Sequence, residues 1–191
     1  MLVATVGSAQ AVTVERMQVT RDDARYDVAS VMVLDVPLAV AFRAASDYDR
    51  LPEFNPSILS STRLRGHRLR SNVRLCVAFF CKTIRQVMRY QEHAPESIDM
   101  QVVTDAGDLK SGHAKWRFTA IDARRTRLAF AAAIEPAFWI PPLIGPYLIA
   151  RELRRQTQIT GRSIERLAAD YAHDQGRNGG NIDDDSESDD E

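Results

Sequence analysis

Ser46-Asp47-Tyr48-Asp49-Arg50-Leu51-Pro52-Glu53-Phe54-Asn55-Pro56 decides how the rest of this chain is read. The stretch follows a short helical run and precedes a long series of strand-like segments, an order that describes a sheet wrapped around a pocket. Just upstream, Pro37 suits a first helical turn, and Val40, Ala41, Phe42, Ala44 and Ala45 form a short apolar helix ending before Asp47. Leu51 to Phe54 forms a second short helix or turn, ended at Asn55 because the residue before a proline avoids the helical region. Asp47, Asp49 and Glu53 are not a catalytic set, since carboxylates in turn-rich segments cap helices or face water.

Working outward, Val12 to Thr20 and Tyr26 to Asp35 are apolar-rich extended runs separated by the charged turn Arg21-Asp22-Asp23, as in a hairpin or two sequential strands. Downstream, consecutive strands are expected over about 57–66, 68–80, 82–92, 97–105, 110–121 and 125–135, and their short connections require antiparallel pairing. Val73, Leu75, Val77 and Phe79 share one face of their strand while Cys76, Ala78 and Phe80 make the other apolar. Trp116 and Phe118 share a face, as do Leu128, Phe130, Ala132 and Ile134. A stiff connection, Pro136 to Pro146, leads into a long helix predicted over about Leu143 to Tyr171. One face of that helix carries Ile149, Leu153, Thr157, Thr160, Ile164, Leu167 and Tyr171. Thr157, Thr160 and Gly161 thin its apolar character, and a mid-helix glycine costs about 1 kcal/mol relative to alanine. Two readings stay open for this thinning: close packing of helix on sheet, or space left for a bound molecule.

With 191 residues, 45% of them hydrophobic, the chain suffices for a single core and one domain, set at residues 12–171. The net charge of −1 hides an asymmetry: residues 172–191 carry eight acidic groups against Arg177 alone, so the body is basic. That tail lacks the apolar residues needed to offset ordering entropy and reads as disordered and solubilising. Residues 1–11 close on Ala9-Gln10-Ala11, a small-x-small pattern without a basic leader, and read either as the end of an export signal or as a flexible N-terminus. No run reaches the roughly 20 apolar residues of a spanning helix. Cys76 and Cys81, five apart on what reads as strand and turn, are expected to be separate thiols too distant for a disulfide.

Catalytic signatures are missing from the sequence. His67, His93, His113 and His173 lack the i, i+4 spacing of a helical metal pair, and there is no CxxC, phosphate loop or Gly-x-Ser-x-Gly elbow. His113 with Asp105 or Asp108 is the one conceivable acid/base pair near Trp116, and a solvent-exposed role suits these residues better. No catalytic residue, metal ligand or cofactor is assigned.

The order of strands, short helices and long last helix, with Asp47 to Phe54 between them, resembles the START-like (SRPBCC) superfamily, and within it the polyketide cyclase/dehydrase and coenzyme Q-binding branch. Gly112-His113-Ala114-Lys115-Trp116-Arg117-Phe118 is similar to that family's penultimate strand, and Phe138-Trp139-Ile140-Pro141-Pro142-Leu143-Ile144-Gly145-Pro146 to the entry into its last helix. The resemblance covers about residues 26–169. It implies an α+β helix-grip: a curved antiparallel sheet of about six to seven strands around the C-terminal helix, with two short helices after the first strand and an apolar cavity inside. Expected ligand contacts are Phe54, Met88, Met100, Trp116, Phe118, Phe138, Trp139, Leu143, Thr157 and Gly161, the flexible methionines suiting an irregular apolar molecule. The implied partner is a lipid or isoprenoid quinone held without catalysis, with peripheral membrane contact, no nucleic acid, and a periplasmic or envelope location if a leader precedes Met1, otherwise a cytoplasmic one. The alternatives are an aromatic polyketide cyclase/dehydratase, and a ribosome-associated regulator using Arg151, Arg154, Arg155, Arg162 and Arg166 of the last helix.

Overall fold

The computed structural model describes residues 12–141 and 144–178, with side chains of the last helix described through Leu167. Strands β1 (Thr13–Asp22) and β2 (Arg25–Leu34) form a hairpin. Helix α1 (Leu38–Ser46), a 3-10 turn (Tyr48–Arg50) and helix α2 (Leu51–Phe54) follow. Then come β3 (Ile58–Leu64), β4 (Arg68–Val77), β5 (Phe80–His93), β6 (Ser97–Val102), β7 (Leu109–Ala120), β8 (Thr126–Pro136) and helix α3 (Pro146–Asn178). All strands join one antiparallel sheet of eight in the order β1-β2-β8-β7-β6-β5-β4-β3. The sheet therefore exceeds the six to seven strands expected, because both early extended runs are strands, and the short helices follow the second strand rather than the first.

The expected strand over 68–80 is in fact a reversal. The chain turns at Ala78-Phe79, where Ala78 takes φ +53°, so Val77 faces Phe80 and Cys76 faces Cys81 across the hairpin. Their Cα atoms lie 4.1 Å apart and the two residues form a disulfide, correcting the expectation of separate thiols. Spacing of five excludes a bridge along one strand but brings the residues together across a two-residue turn. Helix α3 begins at Pro146 rather than near Leu143, in keeping with proline's fitness for a first helical turn, and continues past Tyr171 to Asn178. Residues 1–11 and 179–191, which hold the signal-like pattern and most of the acidic tail, lie outside the described residues.

Alternation along β2 buries Tyr26, Val28, Ser30, Met32 and Leu34 on the inner face. Two apolar clusters fill that side. One joins Met32, Leu34, Phe42, Phe54, Ile98, Phe118, Leu128 and Ile164, with Met100 and Trp116 packed against it. The other joins Val19, Tyr26, Val28, Val77, Ile144 and Ile149, with Phe80, Phe130, Ile140 and Leu148 against it.

The open sheet ends in β1 on one side and β3 on the other, and each carries a register irregularity, between Val14 and Arg16 and between Ile58 and Ser60. On β3 the Arg63 N–H donates to Asp49 Oδ1 at 3.1 Å, while its guanidinium pairs with Asp49 at 3.3 Å and Asp47 at 3.8 Å. On β1 the Arg154 guanidinium of α3 donates to the Val14 carbonyl at 3.3 Å. Asp47 and Asp49 thus tie the α1–α2 connection to β3, and neither makes a side-chain hydrogen bond that caps a helix.

Candidate functional site

Cross-strand register builds the inner wall. Ile98 faces Trp116, which faces Phe130, and Phe118 faces Leu128. The Trp116 and Phe130 rings lie 4.6 Å apart, so this pair spans the two apolar clusters, one ring packed against each. Phe42 meets Phe118 edge-on at 5.5 Å, within the favourable range for aromatic pairs. Of the expected ligand contacts, Phe54, Phe118, Met100 and Trp116 come together in or against the first cluster, with Phe54 and Phe118 buried and the other two half-buried. Met88 is buried on β5 between Leu69 and Val102 and belongs to neither cluster. Thr157 is half-buried on α3. A Cβ on Gly161 would lie 2.7 Å from Val12 Cγ1 and 3.3 Å from Met32 Sδ, so the space beside this glycine is taken by β1 and β2, and close packing accounts for it. Leu143 lies outside the described residues.

Phe138 and Trp139 stand apart from that group, at the end of the molecule formed by the β4–β5 turn and the β8–α3 connection. Lys82 Nζ lies 5.1 Å from the centre of the Phe138 ring. A concavity of about 410 Å³ beside them is lined by Arg21, Tyr26, Lys110, Phe138 and Trp139. Tyr26 went unnoticed in the sequence as a site residue. Its parity with Val28 and Met32 marks it as inward-facing, yet nothing local says that a phenol at the strand's start reaches a surface concavity.

A second group also escaped sequence reasoning. Tyr48 is fully buried, its ring 4.4 Å from that of Tyr90 and capped by the Arg63 guanidinium at 5.4 Å. Burial, with the Glu92 carboxylate beside it, raises the Tyr48 phenol above its ordinary value, which keeps it neutral. A concavity of about 970 Å³ nearby is lined by Arg63, His67, Tyr90, Glu92, Asp99 and Lys115 together with Met100 and Ala114 of the inner wall.

The acid/base pair considered near Trp116 is not assembled. His113 is exposed and three residues from Trp116 along a regular strand, so the two side chains point to opposite faces. Asp108 accepts the Arg85 backbone N–H at 2.8 Å, and that bond chiefly, aided by the Arg85 guanidinium, holds its carboxyl below the usual carboxylate range. Its task is to bind the β6–β7 connection to β5. Among the described residues no cluster of histidine, cysteine or carboxylate groups could hold a metal ion.

The architecture is that of START-like helix-grip proteins. The fold is similar to a START superfamily protein from Mycobacterium smegmatis, at 16% identity over 74% of this chain and 98% of that one, with a TM-score of 0.60. It is similar to a conserved protein from Geobacillus kaustophilus, at 11% identity over 75% and 95% of the two chains, with a TM-score of 0.61. It is also similar to the Zhui aromatase/cyclase from Streptomyces sp. R1128, at 13% identity over 83% and 99%, with a TM-score of 0.51. At such identities these likenesses concern the fold alone. No curated protein sequence matches. The family model for polyketide cyclase / dehydrase and lipid transport proteins matches residues 34–158, from the end of β2 into α3. That segment is well over half of the chain and contains every element of the inner wall except β1 and most of β2, so the chain belongs to the polyketide cyclase/dehydrase and lipid transport family.

Proposed function

We propose that this domain binds and carries an apolar molecule, a lipid or an isoprenoid-quinone-like compound, between the sheet and α3, without transforming it. The observation behind this reading is the chemistry of the central inner wall. The inward positions are Val28, Ser30 and Met32 on β2, Ile98, Met100 and Val102 on β6, Ala114, Trp116 and Phe118 on β7, and Leu128, Phe130, Ala132 and Ile134 on β8. None of these is charged and only Ser30 among them is polar; Tyr26 at the start of β2, and Tyr90 and Glu92 on β5, share the face at its margins, so the apolar area occupies the middle of the wall. The seam between the two clusters, at Trp116 and Phe130, is where an apolar guest would part the core, and flexible Met100 and Met17 beside it suit an irregular shape.

The cyclase reading needs convergent acid/base groups on that wall. The polar groups nearest in kind are the buried Tyr48 phenol and the Glu92 carboxylate beside it, at the β5 margin and away from the central strands β7 and β8, while Gln86 donating to Ser71 at 3.0 Å supplies neither acid nor base. The ribosome reading relies on the arginines of α3. Three of these already hold partners, Arg154 on Val14, Arg155 on Glu152 and Arg166 on Ser163, which favours a structural role. The Cys76–Cys81 disulfide supports an oxidising compartment, and with it the envelope location.

Organic extracts of protein purified from cells, read by mass spectrometry, are expected to yield an apolar molecule near one per chain, and the purified protein to bind the fluorescent fatty acid cis-parinaric acid. Trp116→Ala should weaken that probe about tenfold. Repeatedly empty extracts with no probe binding would overturn the proposal.

A further inference from the structure

Three aromatic side chains are left in solvent at one end of this molecule. Phe79 is 79% exposed, Trp139 71% and Tyr147 78%. They come from separate elements, the β4–β5 turn, the β8–α3 connection and the first turn of α3, yet each adjoins a residue of the same apolar cluster: Phe80, Ile140 and Leu148. Shared anchoring of their neighbours places all three at that end. Exposing large aromatic surface to water is unfavourable, and such a patch marks an interaction surface.

The concavity of about 410 Å³ beside Trp139 identifies the occupant. Tyr26 lines it, is 95% buried (5% exposed), and its hydroxyl has no hydrogen-bond partner. Arg21 and Lys110 line it as well. The Arg21 guanidinium lies 5.5 Å from the Tyr26 ring centre and its Nε donates to the Asp23 carbonyl, while Lys110 pairs with Glu135 at 3.2 Å. The Tyr26 hydroxyl is sealed from solvent, so the groups open to a ligand are the two cations, which fit a phosphate oxygen. Tryptophan and tyrosine, apolar in body and polar at the tip, prefer the headgroup level of a bilayer.

We infer that this end is a docking surface for an anionic phospholipid bilayer. Phe79, Trp139 and Tyr147 enter the headgroup and upper acyl region, and a lipid phosphate occupies the concavity beside Arg21 and Lys110. A protein groove would require a continuous channel, whereas three isolated aromatics around a cationic concavity match a fluid, laterally adaptable partner. The nearby Asp22, Asp23 and Glu135 temper the field, so the aromatics carry most of the binding and anionic lipid adds to it. The inference deepens the carriage reading and rests on it, since the residues adjoining these aromatics belong to the second cluster, which meets the first at the Trp116–Phe130 pair.

Flotation with phosphatidylcholine vesicles, with and without phosphatidylglycerol, tests it. The wild-type chain is expected to float with both and more strongly with phosphatidylglycerol, and Trp139 emission, taken as the difference between wild type and Trp139→Phe, to shift blue. Phe79→Ser/Trp139→Ser/Tyr147→Ser changes only exposed positions and should weaken binding at least about tenfold. Arg21→Gln/Lys110→Gln should weaken binding to anionic vesicles about fivefold per cation and binding to phosphatidylcholine vesicles, which carry the phosphate without net charge, by less. Absent flotation, a triple variant that floats like wild type, or aromatics that instead hold two copies of the chain together in sedimentation would overturn the surface. Cis-parinaric acid binding by the wild type in vesicle-free buffer separates the two readings. Lost flotation with probe binding overturns docking alone, and flotation without probe binding overturns carriage alone.

Discussion

Val12 occupies the volume that a side chain at position 161 would need, and this contact decides what the glycine is for. Helix propensity alone favours alanine there by about 1 kcal/mol. A Cβ placed 2.7 Å from Val12 Cγ1 instead forces β1 off the helix, at an overpacking cost of about 1–3 kcal/mol. Gly161→Ala should therefore lose about 1 kcal/mol net in chemical denaturation; a gain in stability would refute close packing. The sequence could show the thinning of the helix face but not what stood opposite, because the contact comes from Val12, at the far end of the chain from the helix. Glu165 illustrates a second local effect. It accepts the Asp35 N–H at 3.0 Å, yet burial lifts its carboxyl above the ordinary glutamate range, and the hydrogen bond offsets only part of that rise. The folded chain holds this proton to higher pH than the unfolded chain does. Stability consequently falls as pH rises from the usual glutamate value through the raised one, and the penalty is complete above it. Glu165→Gln keeps an acceptor and removes the charge. Its melting temperature should match wild type near pH 4 and exceed it near pH 7, and equal melting temperatures at both would refute the shift.

At the level of elements, the β4–β5 hairpin is where sequence and structure part most. Val73 to Phe80 reads as one continuous apolar strand because both faces carry hydrophobic side chains, and neither Ala78 nor Phe79 is a customary turn residue. Tertiary packing overrides that local signal: Val77 and Phe80 both enter the second cluster, which requires the chain to reverse between them. The disulfide follows from the reversal, closing a short loop at the tip. Loop-closure entropy for so small a ring predicts about 2 kcal/mol. Denaturation midpoints with and without dithiothreitol should differ by that amount, with Cys76→Ser/Cys81→Ser matching the reduced protein; identical midpoints would refute the bridge. Helix α3 was legible as a helix, and its start at Pro146 reflects the proline-rich connection ahead of it.

For the whole molecule, element order carried most of the information. Short connections demanded an antiparallel sheet, and an apolar-faced helix at the end demanded a surface to cover; the helix-grip itself came from the resemblance to the START-like superfamily. The wall residues Trp116 and Phe118 were legible too, through strand parity, and Met100 through the fitness of a flexible methionine for an apolar pocket. The concavity at Tyr26 and the buried Tyr48–Tyr90 contact were not, because each joins residues far apart in sequence whose own surroundings are ordinary. An open sheet of eight strands, unlike a closed barrel, leaves two rows of backbone groups with no strand beside them among the described residues. Here one row has its Arg63 N–H taken by Asp49, the other has its Val14 carbonyl taken by Arg154, and each edge strand is kinked by a register irregularity. Of the carboxylates in the Asp47 to Pro56 stretch, Asp49 therefore does what a partner strand would do at Arg63, leaving one backbone donor fewer on the β3 edge for a neighbouring copy to pair with.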